Sequence, residues 1–280
     1  MHPVYVHIKK ELSSFYAEEE ASAMAKWISS DILHLSTLEL YTGKDMNFST
    51  KEWAELEDIL RRLKQREPLQ YIFQEASFCG MSFHVEQGVL IPRPETEELV
   101  EWIVSDFREA GQVRILDIGT GSGCIPVSLA QLLPEAQVSS CDVSAEALRI
   151  AVTNVKRYGD KVTLFCADIL KEELPECKVD VLVSNPPYIT ESERTDMEAN
   201  VLDWEPELAL FVPDSDPLRF YRRIARKGLD WLSEGGALYF EINRAYGAET
   251  VRMLEELGYR QIELRKDLSG NDRMIKAIRP

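Results

Sequence analysis

The sequence predicts an α/β fold: a mostly parallel seven-stranded sheet with covering helices and one antiparallel edge region, preceded by a small all-helical domain and a β-hairpin linker. Three observations carry this expectation. From residue 113 onward, short apolar runs alternate with amphipathic stretches, the pattern of successive βαβ units. Before residue 70 no strand-like run occurs. Between the two, residues 76–91 are dense in β-formers and punctuated by Gly80 and Gly88. These changes of character set domain boundaries at 1–75, 76–92 and 93–280.

In the first segment, Met24, Trp27, Ile28 and Ile32 recur at helical spacing. A second helix opens at Ser49-Thr50-Lys51-Glu52, where Ser49 and Glu52 can satisfy each other's free backbone donors. Trp53, Leu56, Leu60 and Leu63 then form an apolar stripe. Arg61, Arg62 and Lys64 load the negative end of the helix dipole, and Pro68 closes the segment. Phe78, Met81, Phe83, Val85, Val89 and Ile91 predict a hairpin, and Pro92-Arg93-Pro94 interrupts regular structure. Helical spacing resumes over 95–107 through Leu99, Trp102 and Ile103. Strands are expected at 113–118, 137–143, 162–166, 179–184 and 237–242. Helices are expected at 125–133, 145–158, capped by Gly159, and 218–232. Residues 260–265 and 274–278, joined by a Gly-Asn-Asp turn, supply the antiparallel edge. The long segment 189–217 predicts a lid.

The charge balance narrows the function classes. With 32 Lys+Arg against 48 Asp+Glu, the formal net charge is -16, which argues against a basic groove gripping nucleic-acid backbone. Five cysteines (Cys79, Cys124, Cys141, Cys166, Cys177) are an odd number without a CxxC pair, and the four histidines show no metal-binding spacing. Neither a leader pattern nor an apolar run of bilayer-spanning length is present. The expectation is a cytoplasmic, metal-free protein acting on a protein or a small molecule.

The chemistry concentrates at the carboxyl ends of the predicted strands, where doubly wound sheets bind ligands. After the first strand comes Asp117-Ile118-Gly119-Thr120-Gly121-Ser122-Gly123. It has no Walker lysine, and its leading carboxylate would repel a pyrophosphate but accept hydrogen bonds from an ammonium. After the second comes Asp142, which can accept both hydroxyls of a ribose. After the third come Asp168, placed to accept from an exocyclic amine, and Ile169, an apolar face for a ring. After the fourth comes Asn185-Pro186-Pro187-Tyr188. The prolines stiffen the backbone and remove donors, leaving acceptors for both protons of a planar NH2 group, with Tyr188 as a flat face. Accepting both protons raises electron density on the nitrogen and aims it at an electrophile without a titrating base.

DIGTGSG, the acid at Asp142 and NPPY together resemble a class I S-adenosylmethionine-dependent methyltransferase. The stretch Gln70-Tyr71-Ile72 through Leu90-Ile91-Pro92-Arg93-Pro94-Glu95-Thr96-Glu97 narrows the likeness. Over essentially the whole chain the sequence is similar to the peptide chain release factor glutamine N5-methyltransferase family. The resemblance implies a Rossmann-like class I methyltransferase domain behind a helical substrate-recognition domain. It implies S-adenosyl-L-methionine as cofactor, S-adenosyl-L-homocysteine as product, and no metal. The methyl acceptor it implies is the glutamine of the Gly-Gly-Gln motif in bacterial class I peptide chain release factors, with no direct nucleic-acid binding and no membrane. Carried onto this chain, Asp117, Gly119, Thr120, Gly121, Ser122 and Gly123 would surround the cofactor's methionine portion, Asp142 its ribose, and Asp168 and Ile169 its adenine. Asn185, Pro186, Pro187 and Tyr188 would receive the glutamine, with Asn185 also facing the cofactor, and Arg93, Thr96 and Glu97 would shape the pocket. The chain departs from the family's usual wording at Glu241-Ile242-Asn243, Tyr246-Gly247 and Asp216-Pro217-Leu218, all expected to lie away from the cofactor cradle. Rival readings at this point are a ribosomal-protein glutamine methyltransferase, a nucleic-acid adenine methyltransferase and a non-catalytic nucleotide-binding scaffold.

Overall fold

The computed structural model describes residues 1–42, 48–171 and 178–280, so Cys177 lies outside the described residues. The chain divides into two compact units, Met1–Ile72 and Phe73–Pro280. In the first, α1 (Pro3–Leu12) and α2 (Glu18–Trp27) are followed by a π-helical turn at Ile28–Ile32, then by α3 (Thr37–Thr42), α4 (Thr50–Lys64) and α5 (Leu69–Phe73). The reciprocal cap forms: Ser49 N–H donates to Glu52 Oε2 at 2.7 Å and Glu52 N–H to Ser49 Oγ at 3.2 Å. Leu56, Leu60 and Leu63 are buried, as are Val4, Ile8 and Leu12 of α1, which packs against α4. Trp53 does not continue that stripe. It is 40% exposed, edge-on to the rings of His7 and Phe48, and Ile59 takes the buried place on α4. Arg61, Arg62 and Lys64 stand in the last turn of α4, and Arg62 also forms a two-pronged ion pair with the nearly buried Glu67.

The second unit opens with the hairpin β1 (Glu75–Phe78) and β2 (Met81–His84), shorter than expected; Val85, Val89 and Ile91 are buried outside any strand. Then follow α6 (Pro94–Phe107), β3 (Arg114–Ile118), α7 (Cys124–Leu132), β4 (Gln137–Asp142), α8 (Ala145–Arg157), β5 (Val162–Cys166) and β6 (Val179–Ser184). Pro94 does not stop helical structure but starts it, because the first helical position needs no N–H and its φ is already set. The segment expected as a lid carries its own elements: β7 (Ile189–Thr190), a 3-10 turn, α9 (Ala199–Trp204), α10 (Glu207–Leu210) and β8 (Phe211–Val212). The chain ends with α11 (Arg219–Trp231), β9 (Leu232–Glu241), α12 (Gly247–Glu256), β10 (Arg260–Lys266) and β11 (Asp272–Ile278).

The seven-stranded sheet runs β10-β11-β9-β6-β3-β4-β5. The five strands from β9 to β5 are parallel, and β11 is antiparallel to both neighbours. The antiparallel strand thus lies one place in from the edge, which is β10. Both faces are covered, as a parallel sheet requires. Alternation sends Ile115, Val181, Val183 and Tyr239 into one core with Leu99, Ile103 and Leu129. Leu116, Leu182, Leu238 and Phe240 enter the opposite core with Tyr221, Ile224 and Leu254. Phe78 and Phe83 of the hairpin are fully buried in the first of these, edge-on with ring centroids 6.0 Å apart.

Because Phe83 fills that site completely, Phe83→Ala should lower the unfolding free energy of the sheet unit by about 3–5 kcal/mol. Denaturant titration followed by far-UV circular dichroism measures this, and a loss below about 1 kcal/mol would show that the hairpin does not belong to the folded core.

Candidate active site

The site is built where β3 and β6 lie side by side. Ile118 stands opposite Ser184, so the glycine loop and the Asn-Pro-Pro-Tyr corner leave the sheet from adjacent strand ends. Ser184, fully buried, donates through Oγ to the carbonyl of Ile118 at 2.6 Å and ties the two exits together. Gly119 has φ +91°, a backbone conformation that side chains rarely adopt, beside the Asn185 carbonyl. Gly123, at φ +84°, lets α7 begin against α8, where a Cβ would stand 3.4 Å from that of Ala151.

The loop is held from outside by two side chains. Asp142 accepts from Gly121 N–H through Oδ2 and from Ser144 N–H through Oδ1, both at 2.9 Å. Asn154, fully buried on α8, accepts from His84 N–H at 2.7 Å and donates to the carbonyls of His84 and Ser122, both at 2.8 Å. One amide therefore joins the hairpin to the glycine loop. Asn154 was not singled out from the sequence; its only signal is a polar residue on the apolar stripe of a helix.

These loops enclose a cavity of about 160 Å³. Gly119, Thr120, Gly121, Ser122, Asp142, Asp168, Ile169, Asn185, Pro186 and Pro187 line it, as do Arg93 and Thr96. Asp117, Gly123, Glu97 and Tyr188 do not. Leu90, Leu208, Phe220 and Ile224 add apolar wall that the motifs did not announce, and Cys124 and Cys141 line the same space. Burial pushes the Cys124 thiol up to about 12, which keeps it protonated and unreactive.

Behind the corner lies a buried hydrogen-bond chain. Asn185 Nδ2 donates to Thr96 Oγ1 at 3.2 Å, Thr96 donates to Glu241 Oε2 at 2.6 Å, and Tyr188 donates to Glu241 Oε1 at 3.1 Å. The Tyr188 hydroxyl is therefore turned into the protein. Burial and the neighbouring Glu241 carboxylate push its pKa up, so it stays protonated and serves as a donor. Asn243, expected to lie apart, donates through Nδ2 to the Tyr188 carbonyl at 3.0 Å and to Glu193 at 2.9 Å. The Glu241-Ile242-Asn243 stretch thus braces the corner, because β9 runs beside β6 and its end arrives at the same edge. Two more supports lie outside the strand-end motifs. Glu205 accepts from Ile91 N–H at 3.0 Å and pairs with Arg93, joining the 189–217 segment to the PRPETE loop. Arg223 of α11 donates to the carbonyls of Ile169, at 2.8 Å, and Lys171, fixing the loop after β5.

Asp117 sits behind the glycine loop, fully buried. Its Oδ2 accepts from Ser140 at 2.6 Å, and its Oδ1 has no hydrogen-bond partner among the described residues. Burial raises its pKa from the ordinary 3.8 to about 8, against the pull of Ser140 and with help from Asp142. The folded chain therefore holds this proton more tightly than the unfolded chain. Its contribution to stability is full below about pH 4 and is lost as the pH rises toward 8. Asp117→Asn should flatten the fall of melting temperature over that range; parallel curves for the two proteins would contradict it.

Among the described residues no group of three or more His, Cys, Asp or Glu is placed to hold a metal ion, and no helix is long and apolar enough to cross a membrane. Residues 4–73 match the model of the PrmC N-terminal domain, and residues 95–203 that of the methyltransferase small domain. Among solved structures, a methyltransferase from Pyrococcus furiosus superposes with a TM-score of 0.52 at 16% identity, covering 82% of this chain and 98% of that one. The T. thermophilus 16S rRNA N2 G1207 methyltransferase gives 0.53 at 17%, covering 74% and 50%. At these identities they show the fold alone, that of class I methyltransferases. Sequence relatives are nearer. The release factor glutamine methyltransferase of Flavobacterium psychrophilum is 42% identical, covering 95% of this chain and 94% of its own. That of Bacteroides thetaiotaomicron is 50% identical over the full length of both. With that identity end to end and both family models in order along it, the chain belongs to the release factor glutamine methyltransferase family.

Proposed function

We propose that this protein transfers a methyl group from S-adenosyl-L-methionine to the N5 side-chain nitrogen of the glutamine in the Gly-Gly-Gln motif of bacterial class I peptide chain release factors, in the cytoplasm, leaving S-adenosyl-L-homocysteine. The observation that carries the reading is that the Asn-Pro-Pro corner and the glycine loop open onto one cavity from adjacent strand ends. The donor set suits a nucleoside with a cationic tail. Asp142 spends one lone pair of each oxygen on the backbone and keeps others for a ribose. Asp168 accepts from Leu170 N–H through Oδ1 at 2.9 Å and has acceptor capacity left for an amine, with Ile169 as the apolar neighbour.

When bound, the cofactor supplies a methyl group on an electrophilic sulfonium. The chain's own work is to hold the acceptor. A glutamine amide nitrogen is a poor nucleophile because its lone pair is delocalised into the carbonyl. Asn185 Oδ1 and the backbone carbonyls around Pro186 and Pro187 take its two N–H groups, which raises electron density on nitrogen and fixes its direction; the methylated amide would then release one of these protons to solvent. Pro186 and Pro187 cannot donate, so their backbone adds acceptors to the corner without donors. The apolar wall of Leu90, Phe220 and Ile224 lowers the local polarity and strengthens these bonds. The helical unit is assigned to gripping the body of the release factor, in keeping with its exposed Val6, Leu38, Tyr41 and Trp53.

Asn185→Ala should lower turnover by about 100-fold while leaving cofactor affinity near the wild-type value, since one positioned polar contact in a dry site is worth about that much. Mass spectrometry of the Gly-Gly-Gln peptide for one added methyl, paired with calorimetry, reads both; retained turnover would contradict the assignment. Removing residues 1–72 should abolish methylation of folded release factor and affect a short Gly-Gly-Gln peptide far less. Equal losses on both would make the helical unit a stabilising cap only.

A further inference from the structure

Methylation in this cavity requires Asn185 to present its oxygen, because the other end of the amide carries only donors. The two ends are nearly the same shape, and the Asn-Pro-Pro backbone does not choose between them. The choice is made one layer behind. Glu241 is 1% exposed and accepts two hydroxyls, Thr96 at 2.6 Å and Tyr188 at 3.1 Å. In this geometry both hydroxyls donate to Glu241, so both hydroxyl protons are committed to it. Thr96 Oγ1 then has lone pairs alone to offer toward Asn185, 3.2 Å away, and only the NH2 end of the amide can meet them. Thr96 is itself 3% exposed, so water cannot readily replace it in that role.

We infer that Glu241 and Thr96 are positioning residues that lock the Asn185 amide with its oxygen toward the substrate. Neither transfers a proton to the glutamine; they act through Asn185, and Tyr188 completes the pair of donors that holds the Glu241 carboxylate in place. The inference rests on the proposed glutamine methylation for its purpose, but the orientation itself is a property of the folded chain. Burial raises the Glu241 pKa above its ordinary value, while Thr96, Arg273 and Tyr188 pull it back toward ionisation. Thr96 lines the cavity, and its hydroxyl faces Glu241 behind it.

The test compares wild type, Thr96→Val and Thr96→Ser. In 15N–1H spectra, the wild-type Asn185 side-chain amide should show one proton shielded from exchange with water. Thr96→Val should speed that exchange by at least about tenfold and lower kcat on release factor by about tenfold, with the Kd for S-adenosyl-L-homocysteine changed by less than about twofold. Thr96→Ser, which restores the hydroxyl without the methyl, should recover both. An unshielded Asn185 amide in the wild type overturns the inference whether or not the variants fold, as does Thr96→Ser being as impaired as Thr96→Val. If the wild type shows the shielding but adds no methyl to release factor, the proposed function fails while the orientation stands.

Discussion

The adjacency of β3 and β6 is the constraint on which the rest of the molecule depends. The chain winds outward in one direction through β4 and β5, then returns to the middle with β6, runs through β9 to the edge strand β10 and turns back as β11 between those two. Connections on the two sides of this pair leave the sheet on opposite faces, so a crevice opens above it. Register decides the detail: with Ile118 opposite Ser184, the glycine loop and the Asn-Pro-Pro corner share a wall. A shift of one residue in that pairing would exchange the two faces of β6 and bury its polar exits in the apolar cores.

A site made of loops needs rigidity borrowed from elsewhere, and here it comes from buried side chains such as Asn154 and Glu205, whose polar atoms are occupied. Asn154 replaces a missing strand neighbour for His84 while holding the glycine loop. Glu205, with its side chain 2% exposed, joins Ile91 and Arg93 to the segment that closes the far side of the cavity. That segment leaves and returns as a pair of short strands, Ile189 beside Phe211, so its root is fixed even though Leu208 at its crest is 61% exposed. Removing one partner from any of these pairs would strand a buried polar group, which costs more than the bond contributes.

Much of the architecture was legible in the chain itself. Period-two runs with apolar residues on both faces announce strands covered on two sides, and the strand-end glycines, Asp142 and Asn185-Pro186-Pro187 announce where a ligand must sit. These signals are local in sequence, which is why they survive without a fold. Trp53 and Pro94 show where local reasoning fails. The first matches an apolar stripe, and only packing reveals that the buried place belongs to Ile59. The second reads as a breaker, and only the position of the helix start makes it the opening residue.

What the sequence determined by itself was the sheet, the cradle and the acceptor corner, because each is written in neighbouring residues whose backbone preferences and side-chain chemistry act over a few positions. What only the tertiary structure decided was how those parts are held and aimed. Asp117 is withdrawn behind the loop, Tyr188 is turned inward, and Glu241 stands behind Thr96 and Asn185 across 145 residues of chain. Such contacts arise from strand order and register, and a polar residue on a strand or helix carries no mark of the distant partner that will satisfy it.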